Sequence, residues 1–502
     1  MALKPISKIA AGVQASTTLA IDSLFKQMKA EGKDVVGFGA GEPDFPTPEH
    51  IKQAGIEAIE NNQTKYTPAA GLMDLRKAAC YRLKEDCGLD YEPTQIVVAS
   101  GAKHSVYIAL MTLCNPGDEV VIAAPYWVSY SEMVKQAGAI PVIVAATEEA
   151  DFKITAEQLD AAITDKTKVF MLNSPSNPTG MVYTKAELEA IAEVCCRHNI
   201  YVIADEIYCN LVYDNNEFVS FASLGEDVKE RTILVNGVSK SYAMTGWRIG
   251  YAAARADVIK GIMAVQSQTT SATSAISQKA AVEALRGPQH DLEVMVEEFR
   301  RRKDYVVDRL NRIPGITCPD VKGAFYVYPD VQLYLGKSFG GRKIETAVEL
   351  CQYLLDEALI STVPGEAESM TLLVLNEETA LRKVEAEYKA SRPGYLVFLV
   401  DGYDDVFSDM LDSERARLLE GINRVLEDMI GRGTGFLRRV ASGRYIAVVE
   451  ERQLEQFAKR GYDVLDKIRA LDPSVNLSLS IGIGRGAKTL REEIGRASCR
   501  ER

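Results

Sequence analysis

Long apolar runs are missing from this chain, and their absence excludes the most. No stretch approaches the roughly 20 apolar residues that a membrane-spanning helix needs, and the apolar run at 395–400 has only the length of a strand. The N-terminus, Met1-Ala-Leu-Lys-Pro-Ile-Ser-Lys8, carries no apolar signal core. Histidine is scarce, at four, and the nine cysteines show no metal-ligand spacing, so no metal is expected. Cys195 and Cys196 are neighbours on an expected helix, and this cysteine usage fits a reducing cytoplasm. Basic stripes are absent too. With 58 Lys and Arg against 70 Asp and Glu, the net charge is −12, which argues against a nucleic-acid partner. Internal repeats and low-complexity linkers are not found. What remains is the composition of an ordinary globular protein, 47% hydrophobic and 25% charged. At 502 residues it is too long for one hydrophobic core, so two or three domains are expected.

Between residues 96 and 254, short β-branched runs alternate with helical patterns. Strands are predicted at 96–99, 119–123, 141–145, 168–172, 201–204, 232–235 and 248–253, with helices such as 102–113 and 185–198 between them. Thr184 is placed to cap the second of these helices, with Glu187 as its capping-box partner. The alternation predicts an α/β fold with a mainly parallel, doubly wound sheet. Ligands of such sheets bind beyond the carboxyl ends of the strands, which is where Gly101, Asn173, Asn177, Asp205 and Lys240 fall. A charged helical stretch at 291–310 then leads to Gly323-Ala-Phe-Tyr-Val-Tyr328, read as the start of a smaller α+β domain. After Val363-Pro-Gly-Glu-Ala367 the text changes: a charged helical stretch at 376–389 precedes a new apolar strand at 395–400.

Lys240 follows the apolar run 232–235 closely. An ammonium near the end of a buried strand is unfavourable unless it has a partner or a covalent role, and a lysine of depressed pKa is a nucleophile toward carbonyls. Arg248, eight residues on, can fork onto a phosphate. An amine for a carbonyl and a guanidinium for a phosphate point to pyridoxal 5'-phosphate (PLP); a surface lysine in a strand-to-helix loop is the alternative. Asp205, at a strand end, is by itself a helix cap, but beside Lys240 it can keep a pyridine nitrogen protonated. Tyr208 is within reach of the same ring. Ser100-Gly-Ala-Lys103 opens a helix whose free N–H groups suit a phosphate.

Together with Gly39-Ala-Gly-Glu-Pro-Asp-Phe45, Lys65-Tyr-Thr-Pro68, Ala124-Pro-Tyr-Trp-Val-Ser-Tyr130 and Asn173-Ser-Pro-Ser-Asn-Pro-Thr-Gly180, these motifs resemble the class I aminotransferases of the fold-type-I PLP enzymes, in particular the bacterial aspartate aminotransferase type. The resemblance covers residues 1 to about 367. It implies an N-terminal part of the small domain at 1–47, a large PLP-binding domain at 48–290 and the rest of the small domain from 291. It implies transamination between an amino acid and a 2-oxo acid, with aspartate and 2-oxoglutarate as the expected pair. Position by position, Lys240 resembles the Schiff-base lysine that also shuttles the proton. Asp205 is similar to the pyridinium partner, and Tyr208 and Asn177 to the groups on the phenolic oxygen. Trp127 resembles the aromatic residue stacked on the ring. Gly101, Ala102 and Arg248 are the expected phosphate holders. Tyr66 resembles the residue that reaches the neighbouring subunit's phosphate, which implies a homodimer. Gly41, Trp127 and Asn177 are the expected substrate contacts, with Lys103 for a distal carboxylate.

The resemblance stops before the strand that, in this family, carries the arginine clamping the substrate's α-carboxylate. Ala367 is followed instead by Glu-Ser-Met-Thr-Leu-Leu-Val-Leu-Asn376, so the small domain is read as truncated at 291–367, with impaired activity expected. Residues 369–490 resemble a degenerate GGDEF domain of the kind found in DHH-family cyclic-di-AMP phosphodiesterases, through Tyr395-Leu-Val-Phe-Leu-Val-Asp-Gly-Tyr-Asp404, residues 436–447 and residues 477–484. Ala441-Ser-Gly-Arg-Tyr445 stands where the signature turn is expected, and Leu399 where a metal-binding carboxylate is expected. Cyclase activity is therefore not expected, and a nucleotide-sensing module on an inert chain is the alternative function. The last ten residues, 493–502, resemble a translated sequencing adaptor and are expected to be an artefact tail. The expectation for the whole is a chimera of two unrelated reading frames, joined near residue 368.

Overall fold

The computed structural model describes residues 4–13, 17–39, 41–365, 371–374, 393–401, 403–408, 410–431, 435–459, 463–473, 475 and 477–484. The helical stretch expected at 376–389 and the adaptor-like tail lie outside the described residues. The chain divides into two compact units, Met1–Glu378 and Thr379–Arg502.

The first unit is organised by a seven-stranded sheet: β1 (Ile96–Ala99), β2 (Glu119–Ala124), β3 (Ile140–Ala145), β4 (Thr167–Asn173), β5 (Tyr201–Asp205), β6 (Thr232–Gly237) and β7 (Gly250–Ala253). Their order across the sheet is β1-β7-β6-β5-β4-β2-β3. β2 to β6 pair in parallel, and β7 runs antiparallel to both β1 and β6. The mainly parallel sheet expected from the alternation is present, with one reversed strand. The central strands read as unbroken apolar text because both of their faces are covered. Val169 and Met171 of β4 enter one core with Val106 and Ile108 of the helix Ala102–Leu113. Phe170 and Leu172 enter another, with Leu188, Ile191 and Cys195 of the helix Lys185–Arg197.

Helix ends follow local chemistry. Thr184 Oγ1 accepts from Glu187 N at 3.4 Å while Glu187 Oε2 accepts from Thr184 N at 2.7 Å, the reciprocal cap expected from the sequence. One boundary is corrected. The last strand begins at Gly250 and not at residue 248, because Arg248 has φ +58 and cannot enter a ladder. That left-handed residue turns its side chain out of the sheet and toward the strand ends.

β1 to β6 share one direction, so their carboxyl ends lie along one edge. Asn173 and Asp205 close β4 and β5 as register partners there. Around this sheet, the long helix His290–Asn311 covers the predicted 291–310 stretch. Val36–Gly37 pairs in parallel with Ile360–Ser361. Thr371–Val374 pairs antiparallel with both Val363–Pro364 and Tyr326–Val327. That strand belongs to the first compact unit, beyond the boundary the sequence suggested at 367.

The second unit is a four-stranded antiparallel sheet ordered Gly435–Ala441, Arg444–Glu450, Pro393–Asp401, Ser478–Gly484. One core holds it together, with Leu396, Phe398 and Val400 against Leu418, Ile422 and Leu426 of the helix Asp412–Ile430.

Candidate active site

Lys240 lies three residues beyond β6, in a loop that returns to β7. Its Nζ donates to the carbonyl of Gly41 at 2.5 Å and stands 5.3 Å from the Phe325 ring and 5.9 Å from the Tyr208 ring. Burial is the largest influence on this amine. It lowers the pKa to about 8, aided by the nearby Arg248 charge and opposed by Glu42 and Asp205. Glu42 is itself held by the Thr245 hydroxyl at 2.7 Å.

Asp205 is 3% exposed. Desolvation raises its pKa to about 6, against the Tyr130 hydroxyl donating to Oδ2 at 2.7 Å, the Ile207 N–H donating to Oδ1 at 3.3 Å, and the charge of Lys240. Asn173 Nδ2 donates to the Asp205 carbonyl at 2.8 Å, and Asn173 Oδ1 receives the Asn177 N–H at 2.7 Å. The loop after β4 is thus tied to the end of β5. Asn177 Nδ2 in turn reaches the hydroxyls of Tyr208 at 3.5 Å and Tyr326 at 3.3 Å. Burial holds the Tyr208 phenol well above its ordinary pKa, so it stays a neutral donor.

At the opposite end, Arg248 Nη2 donates to Ser100 O at 3.2 Å and Nη1 to Thr245 O at 2.9 Å. Gly101 precedes the helix Ala102–Leu113 with φ +89, and a Cβ there would collide with the Arg248 guanidinium. A Cβ at Gly250 would collide with the Ala102 backbone. Glycine at both positions brings a guanidinium and a helix N-terminus together, which is a cradle for a dianion. Trp127 meets Tyr130 edge-on at 5.3 Å, and Lys103 Nζ lies 4.7 Å from the Trp127 ring. Burial, then Arg248, lowers the pKa of Lys103.

A cavity of about 460 Å³ joins these groups. Lys240, Asp205, Tyr208, Asn177, Trp127, Ala102, Lys103, Arg248 and Gly41 all line it, and Gly101 stands at its Arg248 end. Tyr66 is not among the lining residues and is fully exposed. Tyr130, Tyr326 and Glu42 also line the cavity and had no role from sequence. Tyr130 sits in the 124–130 motif and Tyr326 in the 323–328 segment that was read only as a domain start. Their partners are 75 and 118 residues away, a separation that no local pattern reveals.

Residues 33–382 match the family model for aminotransferase class I and II. The chain belongs to this family. It is 48% identical over 364 residues to the aspartate/prephenate aminotransferase of Cereibacter sphaeroides, covering 72% of this chain and 91% of the relative. It is 49% identical over 350 residues to an aspartate aminotransferase of a Bacillus species, covering 70% and 88%. Among solved structures, the aspartate aminotransferase of Rhizobium meliloti superposes with a TM-score of 0.73 at 43% identity, covering 76% of this chain and 97% of that one. The Thermus thermophilus aspartate aminotransferase with maleate gives 0.72 at 36%, covering 77% and 99%. Residues 398–499 match a second model, the GGDEF domain of cyclic-di-AMP phosphodiesterases of the GdpP kind.

As a member of the class I and II aminotransferases, the protein is a PLP-dependent enzyme. The donor set fits that cofactor. The glycine-shaped cradle at Gly101 matches a phosphate, the buried Asp205 a protonated ring nitrogen, and the depressed Lys240 amine an aldehyde.

Proposed function

We propose that this aminotransferase exchanges the amino group of aspartate with 2-oxoglutarate. The observation that carries the reading is one cavity holding a lowered-pKa amine, a buried carboxylate and an arginine at a helix N-terminus, with a further cation, Lys103, at its edge. PLP, when bound, supplies the electron sink for the charge left as the substrate's α-proton departs. Lys240 would hold the cofactor's aldehyde, and its amine would carry the substrate's α-proton away and return it. Asp205 keeps the ring nitrogen protonated, and Tyr130 keeps Asp205 ionised and aimed. Tyr208 and Asn177 donate to the phenolic oxygen. Trp127 would stack on the cofactor ring, and Arg248, Gly101 and Ala102 would hold its phosphate. Gly41 gives backbone to the substrate. Tyr66, fully exposed on one chain, serves the phosphate of a second copy in a homodimer. The reaction belongs in the cytoplasm, where amino acids and oxo acids are interconverted.

Lys103 defines the substrate class in this reading. Its ammonium is held against Trp127 beside Arg248, so the cavity edge attracts a second carboxylate. Lys103→Ala should cost aspartate more than alanine or phenylalanine, by about 1–3 kcal/mol in relative kcat/KM. Equal losses on all three substrates would remove the distal-carboxylate role.

The amine of Lys240 also sets a pH dependence. Only the neutral amine attacks an aldehyde, and it predominates above the pKa of about 8. Capture of added PLP by the cofactor-free protein, followed by stopped-flow absorbance, should rise roughly tenfold between pH 7 and pH 9 and then level off. A rate that falls over this range would contradict a lysine nucleophile of that pKa.

A further inference from the structure

Tyr326 lies on the short strand Tyr326–Val327, is 2% exposed and lines the same cavity. Its hydroxyl is 2.6 Å from the Tyr208 hydroxyl and 3.3 Å from Asn177 Nδ2. Its ring packs edge-on against Tyr208 at 5.6 Å and tilted on Phe325 at 4.8 Å. Either hydroxyl can be the donor in the pair. In the reading above, Tyr208 gives its hydrogen to the cofactor's phenolic oxygen. A phenol has one hydrogen to give, so Tyr208 then has none for Tyr326. The close pair is kept only if Tyr326 donates to the Tyr208 oxygen, alongside the Asn177 N–H. A phenol that accepts hydrogen bonds is a stronger donor, because successive hydrogen bonds polarise one another.

We propose that Tyr326 is a positioning residue that donates to Tyr208, and so strengthens and aims the hydrogen bond Tyr208 makes to the cofactor. The inference rests on the proposed role of Tyr208. Its consequence is electrostatic. When the nitrogen joining Lys240 to the cofactor loses its proton, the phenolic oxygen is left with a full negative charge. A strong donor there favours the deprotonated form and lowers the midpoint of that titration.

The test is an absorbance titration of the cofactor-loaded full chain, with Tyr326→Phe and Tyr208→Phe beside it. Phenylalanine keeps the buried ring and removes only the hydroxyl. Tyr326→Phe should move the midpoint upward by about half a pH unit or more, Tyr208→Phe should move it upward further, and the double variant should match Tyr208→Phe. Tyr326→3-fluorotyrosine, a more acidic phenol and a stronger donor, should move the midpoint downward, a sign that a packing role would not produce. If Tyr208→Phe raises the midpoint while both Tyr326 variants leave it unchanged, the inference about Tyr326 is overturned and the role of Tyr208 stands. If Tyr208→Phe leaves the midpoint in place, both are overturned.

Discussion

Lys240→Ala is expected to leave a folded protein that no longer fixes PLP on borohydride reduction. The side chain points into the cavity from a loop after β6 and, among the described residues, donates to the Gly41 carbonyl, so its loss opens no void in the sheet's core. Of the other cations lining the cavity, Lys26 is an exposed residue of the helix Thr17–Ala30. Lys103 is drawn onto Trp127, and the Arg248 guanidinium is not a nucleophile. Without the amine that forms the covalent link and moves the proton, transamination should fall by on the order of a millionfold. Mass spectrometry of the reduced wild-type chain should place the added cofactor on the peptide that contains Lys240. A labelled Lys240→Ala chain, or a label on another lysine, would refute the assignment.

The second large effect concerns the far side of the small domain. Residues 371–374, Thr-Leu-Leu-Val, pair with Tyr326–Val327 and carry no arginine. The family resemblance implies a bidentate arginine that clamps the substrate's α-carboxylate, a contact that is strong when desolvated. The 502-residue chain should therefore transaminate slowly. Replacing everything after Ala367 with a family-type C-terminus should raise kcat/KM for aspartate by about two to four orders of magnitude, since several kcal/mol of transition-state binding is restored. Unchanged rates after that replacement would show that the chain already binds the α-carboxylate by other means.

Much of the large domain was legible because its strands are buried on both faces. Continuous β-branched text such as residues 232–235 has few other meanings. The reciprocal cap at Thr184 was legible because capping is local chemistry. Arg248 was misplaced at the head of β7, because a left-handed backbone on a non-glycine residue follows from tertiary packing and not from residue type. At the site, Lys240, Asp205 and Arg248 could be found because strand ends in a parallel sheet converge by topology. Tyr130 and Tyr326 could not, because their value lies in hydroxyl contacts to Asp205 and Tyr208 that the chain makes only after folding. The strand Thr371–Val374 was missed for a related reason. It reads as text after a family boundary, and only its pairing to both Val363–Pro364 and Tyr326–Val327 reveals it as part of the first unit.

In the proposed function this chain, as it stands, is a transaminase and not an inert binder joined to a nucleotide-sensing module. A single-turnover half-reaction tests it most directly. The full chain is loaded with PLP, freed of excess cofactor and mixed with aspartate, while the visible band of the lysine-bound cofactor is followed and the oxo acid released is assayed. Slow but complete loss of that band is expected, with one equivalent of oxo acid per bound cofactor and return of the band on adding 2-oxoglutarate. A chain that holds its cofactor at Lys240, yet keeps its colour with aspartate and with every other amino acid offered, would contradict it.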